Sequence, residues 1–135
     1  SPRNESSAAS DVYKRQNKDG VSSEKVDIHK VPGAFELPGK VKLLTRGDTS
    51  YDAIITLGCV IKGETDHYHY ISQAVTDGIM SLTVGLDSDY PKIIFGVLTC
   101  QSKELAIARS DSNMDKNKGY EAGKAALKMI STKKY

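Results

Sequence analysis

The chain has 135 residues, of which 39% are hydrophobic and 27% charged, and its formal net charge is +2. This length suits a single domain with its own core, and the interleaved acidic and basic residues argue against a nucleic-acid-binding face. The polar residues 1–20 do not resemble a secretory signal, and no apolar run approaches the roughly 18 residues of a membrane helix.

The first predicted elements are a strand, a helix and a second strand. Residues 26–31 alternate between apolar and polar side chains, which predicts a strand. Residues 35–46 place Leu37, Val41 and Leu44 on one helical face, and Gly47 would end that helix. Residues 53–61 form a continuous apolar run, which predicts a buried strand.

The second half of the chain repeats this alternation. Residues 66–84 predict an amphipathic helix, residues 93–98 a buried strand, residues 105–108 a short helix, and a last helix opens near Asn117. Apolar strands separated by helices favour a parallel sheet covered on both faces. We therefore predict an α/β protein with a three-layer α/β/α, doubly wound (flavodoxin-like) fold and ligands at the carboxyl ends of its strands.

One corner between a strand and a helix contains residues that suit phosphate binding and proton transfer. Gly63, Glu64 and Thr65 follow the buried strand, and His67 lies in the first turn of the next helix. The amino end of a helix suits a phosphate, and a histidine can move protons near neutral pH. A plain helix cap is the structural alternative for these residues. His69 points to a different face from His67, so we expect no metal site here.

The two cysteines fall in, or at the end of, predicted strands. We expect Cys59 and Cys100 to be buried and reduced, because a disulfide would need a proximity that the sequence does not show. Reduced thiols favour the cytoplasm or an organelle stroma.

Four motifs resemble those of the lumazine synthase family, which catalyses the penultimate step of riboflavin biosynthesis. They are VPGAFELP at residues 31–38, GCVIKGETDHY at 58–68, IFGVLT at 94–99 and NKG at 117–119. The likeness covers about residues 21–130, in the same order and with similar spacing. It divides the chain into an atypical N-terminal segment, residues 1–20, and a lumazine synthase domain, residues 21–135.

The resemblance implies a specific reaction. Family members condense 5-amino-6-(D-ribitylamino)uracil with 3,4-dihydroxy-2-butanone 4-phosphate to give 6,7-dimethyl-8-ribityllumazine, phosphate and water. They use neither a metal nor an organic cofactor. Because the substrate amine is itself the nucleophile, the protein must supply orientation, a phosphate site and one acid/base group.

The resemblance also implies roles for particular residues. His67 would be the acid/base, and the phosphate would be held by Gly63, Glu64, Thr65, Arg109 and Lys118. Taken alone, an arginine at a helix end is more often a solvated charge. The spacing from Arg109 to Lys118 differs slightly from the common pattern of the family.

The uracil substrate would lie against a second set of residues, by the same resemblance. These are Ala34, Phe35 and Glu36 at the ribityl chain, Val60 and Ile61 beside the pyrimidine, and Phe95 from a neighbouring subunit. Without the resemblance, Glu36 would be interpreted as a charge at a helix start and Phe95 as core packing.

A pocket shared between subunits implies a homopentamer, and some family members assemble pentamers into an icosahedral shell of sixty subunits. The partners expected are small-molecule substrates and further copies of the chain, with no nucleic acid and no membrane.

The start of the chain departs from the family pattern. Family members begin with an apolar strand inside a four-stranded sheet and an aromatic that stacks on the pyrimidine, and both are missing here. The explanations are a truncated or faulty N-terminal sequence, an omitted segment, or a degenerate protein. The alternative function is therefore a weak or inactive homologue that binds a flavin or lumazine, or forms a shell.

Overall fold

The structure is a computed structural model that describes residues 25–86, 90–109 and 117–131. The atypical segment of residues 1–20 and the connection of residues 110–116 lie outside the described residues. In chain order the elements are a 3-10 turn (Ala34–Glu36), α1 (Leu37–Arg46), β1 (Ala53–Ile61), α2 (His67–Gly85), β2 (Lys92–Cys100), α3 (Lys103–Arg109) and α4 (Lys118–Ser131).

β1 and β2 form a parallel pair, as the alternation of apolar strands and helices predicted. The register runs from Ala53 opposite Lys92 to Ile61 opposite Cys100. The N–H of Lys62 donates to the Cys100 carbonyl (2.9 Å), which carries the ladder one residue further. Only these two strands lie in the described part of the chain, so a sheet of four strands stays a prediction.

The strand predicted at residues 26–31 is wrong. This segment is irregular in the structure, and Ile28 is 50% exposed. Its polar side chains are held by Tyr51, whose hydroxyl donates to Asp27 Oδ2 (2.8 Å) and lies 3.1 Å from His29 Nε2. The alternating pattern therefore comes from side chains that anchor a loop and not from a buried strand face.

Helices cover both faces of the β1–β2 pair. On one face α1 and α2 contribute Leu37, Val41, Val75 and Ile79 to a core that contains Ile54, Ile93 and Val97 of the strands. On the other face Ala122 and Ala126 of α4 pack against Ile94. This gives the layers α/β/α that the sequence predicted, because each strand turns alternate side chains to opposite faces.

The two cysteines differ in burial. Neither thiol forms a disulfide within the described residues, and Cys100 is buried while Cys59 is exposed, so the predicted burial of Cys59 is wrong. Ala53, Ile55 and Leu57 share the strand face of Cys59 and pack against the α4 cluster. Cys59 lies beyond them, towards the carboxyl end of β1, where the apolar run continues without the same cover.

Candidate functional site

The carboxyl end of β1 leads directly into the amino end of α2. Residues 61–67 are all exposed, and α2 begins at His67 as the sequence predicted to within one residue. At Gly63 no atom lies within 4 Å of the position that a Cβ would occupy. The corner is therefore open to solvent and has room for a ligand against its backbone.

Hydrogen bonds fix the first turn of α2. The N–H of His67 donates to Thr65 Oγ1 (3.3 Å), and the N–H groups of His69 and Tyr70 donate to the Asp66 carbonyl (3.0 and 3.3 Å). Thr65 thus binds the N–H of the first helical residue, whereas Asp66, the N-cap residue, makes no side-chain capping bond. The same contacts hold the His67 backbone rigidly at the end of a 19-residue helix.

The predicted uracil-binding turn lies over β1 near this corner. An ideal Cβ on Gly58 would lie 3.6 Å from the Ala34 Cβ and 3.3 Å from Leu37 Cδ1, so the turn rests on the strand at a glycine. Ala34 and Val60 both pack against the core on the α1–α2 face, whereas Phe35, Glu36 and Ile61 are exposed. The Ala34–Glu36 turn therefore rests on β1 at Gly58, near the point where the strand ends at Ile61 and leads into the corner.

Arg109 and Lys118 come from other elements. Arg109 is exposed at the last residue of α3, about 9 Å along the helix axis from its start after β2. Lys118 opens α4, where its Nζ lies 3.5 Å from Glu121 Oε1. The structure gives neither side chain a contact with His67 within the described residues.

Phe95 is separated from the corner within one chain. It pairs with Thr56 in mid-strand, whereas Val60 pairs with Thr99, about 13 Å further along the sheet. Phe95 is 37% exposed although its neighbours Ile94 and Gly96 are buried. A large aromatic side chain is thus presented to the outside from the middle of a mostly buried strand.

Two buried polar residues have clear structural roles: Asn117, where the sequence predicted the start of the last helix, and Thr56, which was not singled out. Asn117 is 1% exposed, and its Oδ1 accepts the N–H of Tyr120 (2.9 Å), so its side chain caps α4 directly before Lys118. Thr56 is 2% exposed, and its hydroxyl donates to the Ile94 carbonyl (3.0 Å). An asparagine before a helix is a recognisable cap signal, but a threonine in a strand gives no signal of such a bond.

A cavity of about 420 Å³ lies at the opposite end of the strands. Its walls include the end of α1 together with Tyr51, Tyr90 and Pro91, which precede β1 and β2. The pKa of Tyr51 is raised above its ordinary value, mainly by the hydrogen bond to Asp27 and secondly by burial. This cavity does not coincide with the predicted site at the carboxyl ends.

The described ranges contain neither a cluster of metal ligands nor a helix that could cross a membrane. No group of three or more His, Cys, Asp or Glu side chains there is arranged to hold a metal ion. None of the helices in those ranges has the length and apolar character that crossing a bilayer requires.

The chain was compared with known protein families, and one of them covers almost all of it. The family described as 6,7-dimethyl-8-ribityllumazine synthase matches residues 5–134, which is nearly the whole chain.

Proposed function

The chain belongs to the 6,7-dimethyl-8-ribityllumazine synthase family, and on this premise we propose that it catalyses the family reaction. It condenses 5-amino-6-(D-ribitylamino)uracil with 3,4-dihydroxy-2-butanone 4-phosphate, and the products are 6,7-dimethyl-8-ribityllumazine, phosphate and water. The family as a whole implies a place in riboflavin biosynthesis.

The observation that carries the proposal is the open corner between β1 and α2. Exposed backbone at Gly63–Thr65 lies beside the amino end of a long helix, whose partial positive charge favours a phosphate. His67 follows directly on the same helix. A leaving phosphate and the group that moves protons would therefore share one rigid piece of backbone.

The proposed chemistry needs few groups. The uracil amine attacks the ketone, loss of water gives an imine, phosphate is eliminated, and ring closure releases a second water. His67 would accept and return the protons of these steps. Gly63, Glu64 and Thr65 would hold the phosphate from the corner.

Two cations would complete the phosphate site. Arg109 would grip the phosphate through two parallel hydrogen bonds, and Lys118 would add a point charge. Their places at the end of α3 and the start of α4 suit a site that the assembled protein completes.

The uracil substrate would be held mainly by the Ala34–Glu36 turn. Glu36 is exposed and would accept hydrogen bonds from the ribityl hydroxyls, while Ala34, Phe35, Val60 and Ile61 would offer apolar contacts. The proximity of the turn to β1 at Gly58 supports a common pocket for these residues.

Phe95 supports the proposal that a second copy of the chain contributes to each site. It is too far along the strand to reach Val60 of its own chain, and it is exposed. We propose that it closes the pyrimidine pocket of the neighbouring subunit in a homopentamer, since a cyclic assembly repeats one such contact around its axis. Sedimentation of the purified protein measures this assembly.

The test of the proposed function compares two histidine variants. His67→Ala should slow formation of the lumazine, followed by its absorbance, by about 100-fold, the low end of the usual range for acid–base catalysis. His69→Ala, the matched control two residues on, should keep the wild-type rate. Equal rates in all three proteins would remove His67 from the mechanism. Binding of the uracil substrate with no turnover by the wild type would contradict the enzymatic proposal itself.

A second test concerns the phosphate. Arg109→Ala should raise the KM for the butanone phosphate by about 10- to 100-fold, because a hydrogen bond to a charged group contributes about 1.5–3 kcal/mol. The KM for the uracil should change little. Equal increases for both substrates would argue against this role of Arg109.

A further inference from the structure

The first turn of α1 is pressed against a glycine in the middle of α2. An ideal Cβ on Gly78 would lie 3.0 Å from both Cβ and Cγ of Pro38. Pro38 follows the Ala34–Glu36 turn by two residues, and α2 carries His67 at its start. The contact therefore joins the segment of the proposed uracil site to the helix of the proposed acid/base.

This contact leaves little freedom to either partner. Carbon atoms that are not bonded prefer separations of about 3.5–4.0 Å, so a methyl group on Gly78 would push the first turn of α1 away by a few tenths of an ångström. The ring of Pro38 cannot rotate aside as a flexible side chain could. The displacement must therefore be taken up by the backbone of the turn or of α2.

The neighbouring contact at Gly58 directs that displacement. Leu37 is buried in the core and lies next to Gly58 of β1, together with Ala34. The turn thus packs against β1 at Gly58, and Pro38, directly after it, packs against α2 at Gly78. A shift at Gly78 would tilt the turn, because Gly58 keeps its other side on the strand.

We infer that Gly78 is a positioning residue for the uracil substrate, because it sets the spacing between the Ala34–Glu36 turn and His67. The inference rests on the proposed function and goes beyond the residues that the proposal places in contact with substrate. Gly78 lies about three helical turns after His67 and does not touch the corner. Its effect on catalysis passes through the position of Phe35 and Glu36.

The experiment compares the same substitution at two glycines of one helix. Gly78→Ala creates the contact with Pro38, whereas Gly85→Ala places a methyl group where no atom lies within 4 Å. Binding of 5-amino-6-(D-ribitylamino)uracil is measured by calorimetry, and turnover is measured with both substrates. Gly78→Ala should weaken uracil binding about tenfold and raise the KM for the uracil by the same factor. Misplacement of a binding or catalytic group by about 1 Å can lower activity by up to 10²-fold. Gly85→Ala should change neither value.

A second substitution tests the direction of the effect. Pro38→Ala in the Gly78→Ala background removes Cγ of the ring but keeps the Cβ, so it relieves part of the contact with the new methyl group and should restore part of the uracil affinity. Pro38→Ala alone leaves a gap at the same contact and should weaken uracil binding about threefold. It serves as the direct test if Gly78→Ala does not fold. The KM for the butanone phosphate should stay within about twofold of the wild type in every variant.

The outcomes separate this inference from the proposed function. A folded Gly78→Ala protein with a lower Tm and unchanged uracil binding would show a role in packing alone, and would overturn the inference. Unchanged binding by Pro38→Ala would overturn it as well. A wild type that binds the uracil without turnover would refute the enzymatic proposal, while the comparison of Gly78 with Gly85 would still decide the positioning role. A wild-type protein that does not bind the uracil would overturn both the positioning role of Gly78 and the enzymatic proposal.

Discussion

Gly96 of β2 lies tightly against β1 and α4, and adding one methyl group there should destabilise the protein clearly. An ideal Cβ on Gly96 would lie 2.7 Å from the Thr56 carbonyl oxygen, 2.9 Å from Leu57 Cδ2 and 3.3 Å from the Ala122 Cβ. The first of these atoms belongs to backbone held in the β1–β2 pair and cannot rotate away. Gly96→Ala therefore forces β2 from β1, or α4 from the sheet.

Overpacking of this kind costs about 1–3 kcal/mol, so we expect Gly96→Ala to lower the free energy of unfolding by about 2 kcal/mol. For a chain of 135 residues this corresponds to a fall in Tm of roughly 6–10 °C. Circular dichroism during heating measures the fall in Tm, at one protein concentration because assembly would make Tm depend on concentration.

Gly39→Ala is the matched control for this substitution. Gly39 lies in α1, and no atom is within 4 Å of its ideal Cβ. Alanine should stabilise a helix there by about 0.5–1 kcal/mol. A Gly96→Ala protein as stable as the wild type, or a Gly39→Ala protein that loses as much stability, would refute the reasoning from these distances.

Two further substitutions test the polar contacts. Tyr51→Phe removes the hydrogen bonds to Asp27 and His29 and should cost about 0.5–1 kcal/mol in urea unfolding. Because the pKa of Tyr51 is raised in the folded protein, this contribution is complete below its unfolded pKa of about 10 and is lost as pH rises through the folded pKa. A difference between the two proteins that stays constant above about pH 10 would argue against this linkage. Asn117→Ala should cost about 1–2 kcal/mol through the lost cap of α4, and Asn117→Ser should recover part of it. Equal stability of the alanine variant and the wild type would show that the cap contributes nothing.

The continuous apolar runs predicted the strands well. β1 begins and ends at the predicted residues 53 and 61, because every residue between them except Thr56 is apolar or glycine. β2 is longer than the predicted residues 93–98, since Lys92 and Cys100 are paired with Ala53 and Ile61. The ends of β2 are thus decided by backbone pairing with β1, which the polarity of the side chains alone does not reveal.

The alternating pattern at residues 26–31 failed for a physical reason. Such a short run has the same pattern whether its polar residues face solvent or bond to a distant side chain. Tyr51 binds Asp27 and His29 across a long stretch of sequence, and local periodicity contains no information about that contact.

The candidate site was predictable in part. The residues from Gly63 to His67 are close in sequence, and a strand followed by a helix is enough to place them at one corner. The contacts at Gly58 and Gly78 join segments that are far apart in the chain, and only coordinates give their distances. For Phe95, sequence pattern alone favoured core packing, whereas the structure shows it exposed.

Phosphate release tests the central claim most directly. Purified protein is incubated with the uracil and the butanone phosphate, and the lumazine and free phosphate are measured over the same interval. We expect one phosphate for each lumazine, and a parallel fall of both in His67→Ala. No lumazine above the uncatalysed background, or phosphate released without it, would contradict the account.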